Sequence, residues 1–357
     1  MVNNNPTIKD VAKEAGVSIA TVSRVLNNLG NVNSTTTDKV NEAIFKLDYK
    51  RNLIARSLKT NDTKFVGLIA PEISNIFFTE IFDKLEAELS SYGYNIIFCT
   101  SENNIEEEKK KFKMLLDRNV DGIILIPVSD NCKHISLINT NNVPTVLLDR
   151  YASGIDSDIV MSNNIQGGYS LTKALIDEGY EKIGFLGGAS SVNNACQRLE
   201  GFTKAMKEAN LNIDEEFVRL DGLTQNSGYE LMKKIINKPN RPNAFVIEND
   251  LVHVGATSFL KGQVSYEKRK NIVFASFDFF PHSSLLSHCH YAMAQPLNLI
   301  GVNAARLIVD RMKFKRDCKA RTIILEPRMK VIVANGGIFT DPINQDAIEP
   351  DMNNFNF

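Results

Sequence analysis

Several features are scarce in this 357-residue chain, and each absence removes a class of protein. No apolar run approaches the ~18 residues of a membrane span, and Asn3–Asn5 followed by Pro6 do not make a signal peptide. Cysteine is sparse: Cys99, Cys132, Cys196, Cys289 and Cys318 are odd in number and form no CxxC pair. That scatter argues against a disulfide frame or a cysteine zinc site and fits reduced core thiols of a cytoplasmic protein. Neither GxGxxG nor a GKS/T loop occurs, so Gly184 to Gly188 (GFLGG) reads as close backbone packing, not a nucleotide cradle. His288-Cys289-His290 could place two imidazoles on one face, but a third ligand is not evident. These residues read better as part of an edge strand, and no metal is expected. No Ser–His–acid or Cys–His set is evident either, so the expectation is a non-enzyme without a cofactor.

Net charge is also nearly absent, with 41 Lys/Arg against 42 Asp/Glu, but its distribution is uneven. Residues 1–60 hold nine bases and five acids, leaving 32 bases and 37 acids for the remainder. A basic head on a slightly acidic body is the footprint of phosphate contact at one end. The head also carries the most specific pattern in the chain, TIKDVAKEAGVSIATVSRVLNN at 7–28. Thr7 is a good N-cap with Asp10 as its capping-box acid. Ile8, Val11, Ala12 and Ala15 share one apolar face, and Gly16 supplies the positive φ that ends the helix. Ser18 then caps a second helix, in which Val22, Val25 and Leu26 are apolar. Its other face offers Ile19, Ala20, Thr21, Ser23, Arg24 and Asn27, which suits a major groove: small residues permit close approach and Arg24 can donate two bonds to a guanine edge. Residues 34–47 form a third helix, with caps at Ser34–Thr36 and a buried stripe of Val40, Ala43, Ile44 and Leu47. Residues 49–60 are too short for a stable isolated helix. They read as a hinge that folds when two copies meet on DNA, with Leu58 as a minor-groove wedge.

From Lys64 onward the pattern becomes apolar strands alternating with amphipathic helices. Strands are expected at 65–70, 95–100, 121–127 and 143–149, and in a second run at 182–188, 217–220, 243–249 and 271–278. Helices are expected at 76–92, 105–117, 131–140, 165–178, 194–209, 226–236, 251–261 and 296–312. This is two doubly wound parallel sheets, with a ligand cleft between them at the carboxyl ends of the strands. The run EEEKKKFK at 106–113 reads as a solvated helix face. Residues 338–357, polar and holding two prolines without apolar heptads, read as a loose tail, so a dimer is expected rather than a coiled-coil tetramer.

These residues closely resemble the LacI/GalR family of bacterial transcription factors, the lactose and purine repressors, over about residues 6–337. The 7–27 segment joined to ARSLK at 55–59 carries the resemblance most specifically, supported by EISNIFF (72–78), VDGIILIP (120–127), LLDR (147–150), NNxxGGY (163–169), IGFLGG (183–188), RLEGF (198–202), ND (249–250), FD (277–278) and QP (295–296). The resemblance implies an α/β protein with an N-terminal three-helix helix-turn-helix domain (1–48), a hinge helix (49–60) and a two-lobed periplasmic-binding-protein-like effector and dimerisation domain (61–337). Lobe 1 would hold about 61–162 and 296–325, lobe 2 about 163–293 and 328–337, with crossings near 162–164, 293–296 and 325–328. It further implies a homodimer on a double-stranded palindromic operator, a sugar or sugar derivative as effector, and repression of a carbohydrate-utilisation operon. Ile19 and Ala20 would choose bases and Arg24 a guanine, while Thr7, Ser18, Thr21, Ser23 and Asn27 would set phosphate register. Ala55 and Leu58 would enter the minor groove, with Asn52 and Arg56 as further DNA-binding positions. In the cleft, Arg198 matches the ligand-clamping arginine, Asn194 a polar contact, Asn249 and Asp278 hydroxyl acceptors and Gln295 a crossover contact. Phe77, Phe78, Asp149 and Arg150 would line the first lobe. Leu223 stands where many members place a stacking aromatic, and Tyr49-Lys50-Arg51-Asn52 where Tyr-x-Pro-Asn is usual.

Overall fold

The computed structural model describes residues 6–27, 30, 32–49, 62–130, 143–153, 156–280, 288–314, 319–332 and 338–339. It divides into two compact units, Met1–Thr63 and Lys64–Phe357. In the first, helices α1 (Ile8–Ala15), α2 (Ile19–Leu26) and α3 (Ser34–Lys46) enclose Val11, Ala12, Val22, Val40 and Ala43. Asp10 reaches back to the Thr7 amide (2.8 Å) and hydroxyl (2.7 Å), closing the start of α1. These bonds hold its carboxyl below the ordinary range. Gly16 adopts φ 65°, and the Val17 amide returns to the Ala12 carbonyl at 3.0 Å, a Schellman-type stop. The cap of α3 is not at Ser34–Thr36 but at Asn33, whose side-chain oxygen accepts the Thr35 amide at 3.1 Å. Tyr49, read from the sequence as the first hinge residue, instead packs on this small core with its amide on the Ile44 carbonyl at 3.0 Å. The rest of the expected hinge, with Asn52, Ala55, Arg56 and Leu58, lies outside the described residues, as does the helix expected at 131–140.

The second unit holds two sheets. The first contains β1 (Phe65–Ala70), β2 (Asn95–Thr100), β3 (Gly122–Leu125), β4 (Thr145–Leu148), β5 (Asp158–Ser162) and β11 (Thr322–Leu325), in the order β11-β5-β4-β3-β1-β2. All its pairings are parallel, as strands buried by helices on both faces require. Helices α4 (Ile76–Ser91) and α11 (Leu297–Phe314) cover one face through Phe78, Ile81, Leu85, Ile300 and Ile308, and α5 (Ile105–Asp117) covers the other through Phe112 and Leu115. The second sheet contains β6 (Ile183–Leu186), β7 (Val218–Arg219), β8 (Ala244–Ile247), β9 (Val273–Phe277), β10 (Cys289–Ala294), β12 (Arg328–Ile332) and β13 (Ile338–Phe339), in the order β13-β12-β10-β9-β8-β6-β7. Helices α6 (Asn164–Asp177) and α7 (Asn193–Glu208) pack on one side through Leu171, Leu175, Phe202 and Met206. Helices α8 (Gln225–Ile235) and α9 (Asp250–Gln263) pack on the other through Met232, Ile235, Val252 and Phe259, and the short α10 (Tyr266–Arg269) follows.

Three expectations are corrected. The stretch with His288-Cys289-His290 is not at an edge: β10 lies between β9, which it meets in parallel, and β12, which it meets antiparallel, and Cys289 is buried. The segment expected to be tail from 338 begins with β13, paired antiparallel to β12. Strands β5, β11 and β12 were not expected as strands at all. β11 alternates exposed and half-buried positions and β12 is mostly exposed, so they lack the continuous apolar run of the inner strands.

The chain passes between the sheets three times: at Asn163, at Gln295–Pro296 and at Glu326–Pro327. Two of these crossings are tied together, the Asn163 amide to the Leu325 carbonyl (2.8 Å) and its side chain to Glu326 (2.7 Å). Elsewhere the sheets are fastened differently. In the first, fully buried Asp158 accepts from Arg311 (2.6 and 3.0 Å) and from Arg321, including its backbone amide (2.7, 2.8 and 3.2 Å), joining β5 to α11 and β11. Burial alone would raise this carboxyl, but the guanidinium bonds prevail and hold it below its ordinary range. In the second, α6 and α7 meet backbone to backbone: a Cβ on Gly168 would lie 2.2 Å from the Arg198 carbonyl oxygen.

Candidate functional site

The head presents one candidate surface. On α2 the Ser18 hydroxyl accepts the Thr21 amide at 3.1 Å and lies 2.9 Å from the Thr21 hydroxyl, fixing the first turn. Ile19, Ala20 and Arg24 are exposed, and Ile19 at 45% is unusual for an aliphatic residue on so small a core. Thr21, Ser23 and Asn27 are half-buried, and the Asn27 amide donates to Ser23 at its carbonyl (2.7 Å) and hydroxyl (3.3 Å). Thr7 is exposed at the opening of α1.

The second unit contains a cavity of about 300 Å³, and all nine residues expected in the cleft line it: Phe77, Phe78, Asp149, Arg150, Asn194, Arg198, Asn249, Asp278 and Gln295. The fold explains their convergence. Asp149 and Asp278 follow β4 and β9, one on each sheet, and both adopt left-handed backbone, φ 64° and 66°, which turns the chain abruptly at the strand end. Aspartate tolerates that conformation better than most side chains. Phe77 and Phe78 open α4 and meet edge to face at 5.2 Å, forming an apolar wall.

Arg198 is held rigidly. Its Nε donates to Asn164 (2.9 Å), its Nη1 donates to the Glu248 carbonyl (2.7 Å) and lies 3.1 Å from Glu248 Oε1, and its guanidinium lies 3.9 Å from the centre of the Phe277 ring. Asn194 bridges the sheets by donating to Asp149 Oδ2 at 3.1 Å, and neighbouring Asn193 does so through the Tyr151 carbonyl at 2.6 Å. Gln295 donates to Asp278 Oδ1 at 2.6 Å. Asn249, expected to accept a ligand hydroxyl, spends its side chain locally: its oxygen caps α9 through the Val252 amide (2.9 Å), and its amide holds the Leu223 carbonyl (3.0 Å).

Glu248 was not anticipated from the sequence, although its signal is there: it is an acid ending an apolar strand, as Asp278 is. Glu72, Asn75 and Thr224 also line the cavity unforeseen. Burial raises the Glu248 carboxyl to about 7 against the pull of Arg198, and the Asp278 carboxyl to about 6 against Arg198 and Gln295. Burial raises Asp149 as well. Four lining residues carry buried oxygens with no hydrogen-bond partner among the described residues: Asp149 Oδ1, Asn194 Oδ1, Glu248 Oε2 and Gln295 Oε1. A desolvated polar group left unmatched is destabilising, so the wall is chemically prepared for a molecule with several O–H or N–H donors and, for the equally unmatched Arg150 Nε, an acceptor. Among the described residues no group of three or more potential metal ligands is present.

A capped helix-turn-helix and a cleft between two doubly wound sheets define a DNA-binding regulator with a small-molecule sensor. The chain belongs to the LacI family of bacterial regulatory proteins. Residues 7–52 match the family model of bacterial regulatory proteins, lacI family, and residues 63–331 match that of periplasmic binding proteins and the sugar binding domain of the LacI family. The HTH-type transcriptional regulator RegA of Clostridium saccharobutylicum is 37% identical over 328 residues, covering 90% of this chain and 96% of the relative. The HTH-type transcriptional repressor PurR of Pasteurella multocida is 33% identical over 326 residues, covering 91% and 97%. Among solved structures, a transcriptional regulator CelR–cellobiose complex is 25% identical with TM-score 0.68 and covers 93% of this chain and 100% of that one. The lac repressor dimer bound to operator, at 21% identity and TM-score 0.79 over 91% and 98%, shares the fold. These relatives are transcriptional regulators, not enzymes. No helix among the described residues is long and apolar enough to cross a membrane.

Proposed function

We propose that the chain is a dimeric repressor of carbohydrate-utilisation genes that binds a palindromic operator and changes its grip when a sugar occupies the cleft. The observation that carries the sugar reading is the set of unmatched buried acceptors on the cavity wall, because a polyhydroxylated ligand must have each buried hydroxyl paired. Its relatives support the reading: the family model names a sugar binding domain, and one solved neighbour holds cellobiose. On DNA, Ile19 and Ala20 select bases and Arg24 contacts a guanine, while Thr7, Ser18, Thr21, Ser23 and Asn27 set the register on phosphates. The segment after Tyr49, residues 50–60, acts as the hinge, with Asn52, Ala55 and Arg56 at the duplex and Leu58 as its wedge. Effector binding acts by favouring one angle between the lobes over another, in proportion to its differential affinity for the two.

The test is a binding titration on fragments from the gene's own upstream region, with and without sugars, between 50 and 200 mM salt. Specific affinity should fall by roughly 10³-fold or more across that range through counterion release. Arg24→Ala should weaken operator binding roughly 10–100-fold and relax base choice at one position, whereas Lys59→Ala should weaken all sequences alike. Failure to bind any upstream fragment, under any of these conditions, removes the proposal.

A further inference from the structure

Glu248 directly follows β8 in the cavity wall, 1% exposed, with one carboxylate oxygen 3.1 Å from Arg198 Nη1 and the other, Oε2, without a partner among the described residues. The arginine is the group that an acidic ligand would seek, since guanidinium pairs phosphate and carboxylate in bidentate fashion. Here two of its nitrogens are already engaged, Nε by Asn164 and Nη1 by Glu248. Its charge is matched before any ligand arrives. The wider lining repeats this bias: Glu72, Asp149, Glu248 and Asp278 face only two cations, Arg150 and Arg198.

We infer that Glu248 is a specificity-determining residue that closes the cleft to phosphorylated and acidic sugars and selects neutral or amine-bearing sugars, whose donors its free oxygen accepts. The inference rests on the reading of the cavity as the sugar site. At pH 8, where Glu248 is ionised despite its burial, an anion placed beside Arg198 would stand against the Glu248 carboxylate in a desolvated pocket, where like charges repel strongly. A neutral hydroxyl or an ammonium on the same spot supplies the proton that Oε2 lacks. Arg198 thereby serves as a positioned brace for Glu248 and as the floor on Phe277, not as an anion receptor.

The experiment is calorimetric titration of the full-length chain at pH 8 with D-glucose, D-ribose, cellobiose and D-glucosamine, and with glucose 6-phosphate and D-glucuronate. The expected result is binding of at least one neutral or amino sugar and of neither acidic probe. Glu248→Gln keeps the shape and an acceptor for Arg198 while removing the charge. It should gain affinity for glucose 6-phosphate or glucuronate by about 10-fold or more, the scale of one charge-assisted hydrogen bond. Preference of the wild-type chain for an acidic probe over the neutral sugars overturns the inference and leaves the sugar-regulator reading standing. So does a Glu248→Gln chain that folds and stays blind to both acids. If Glu248→Gln does not fold, the wild-type comparison of neutral and acidic probes decides alone. Binding of none of the six by a wild-type chain that still binds operator removes the sugar reading, and the inference with it.

Discussion

Two buried clusters of carboxylate and guanidinium sit in the same unit and are built to opposite ends. At Asp158 one carboxylate meets two arginines, both oxygens are used several times over, and the group is held below its ordinary range. In the cleft, Asp149, Glu248 and Asp278 share Arg150 and Arg198, oxygens are left over, and all three carboxyls are raised, chiefly by burial. The same chemical groups thus make a rivet in one place and a receptive surface in the other. What separates them is the balance of charge: at the rivet two arginines serve Asp158 and Asp310, one for each acid, whereas in the cleft three carboxyls divide two arginines and oxygens are left over.

That contrast can be broken, beginning where the effect should be greatest. Asp158→Ala removes the buried carboxylate that Arg311 and Arg321 share and should destabilise the effector unit by about 3 kcal/mol, read from denaturant unfolding. Gly168→Ala pushes a methyl group into the Arg198 carbonyl. It should remove about 1–3 kcal/mol of stability and weaken sugar binding together, because the displaced turn carries the cleft arginine. A change in stability with sugar affinity intact would show that the helix pair tolerates the shift.

The two clusters should also respond to pH with opposite sign. Asp158, lowered from 3.8, stabilises the fold above that value and loses its contribution as pH falls through the depressed one. Glu248, raised from 4.5 to about 7, and Asp278, raised from 3.8 to about 6, act the other way. Their contribution is complete below the ordinary values and is lost as pH rises through 6 to 7. The urea midpoint of the unliganded chain should therefore be higher at pH 5 than at pH 8, and Glu248→Gln should flatten that decline. An unchanged slope in the variant would remove Glu248 from the account. The smallest effect is expected at the head: the Lys46–Glu14 pair, 2.5 Å apart but well exposed, should leave the unfolding midpoint unchanged on Lys46→Ala, because solvent and salt screen it.

The head was readable in detail because its information is local: caps, a glycine stop and a 3.6-residue stripe all lie within a few residues of one another. Asn33 was overlooked as a cap because Ser34–Thr36 offered three equally good hydroxyls. The paired sheets are readable from their apolar inner strands, whereas edge strand β11 and the largely exposed β12 carry no continuous apolar run. The cleft was the least local. Asp278 is legible because it closes an apolar run next to a family motif, whereas Glu248, in the equivalent place after β8, is overshadowed by the Asn-Asp pair that follows it. Only the folded arrangement shows that its partner is Arg198, fifty residues earlier in the chain.

Gln295 gives the crossings a further meaning. It stands on the strap between β10 and α11, yet its amide grips Asp278 in the cavity wall. A molecule competing for that carboxylate tugs directly on one of the cables joining the two halves, and a second cable is lashed to the third through Asn163 and Glu326. If the cavity is the sugar site, as proposed, sensing and mechanical output meet in a single amide, and no relay through the packed interior is required.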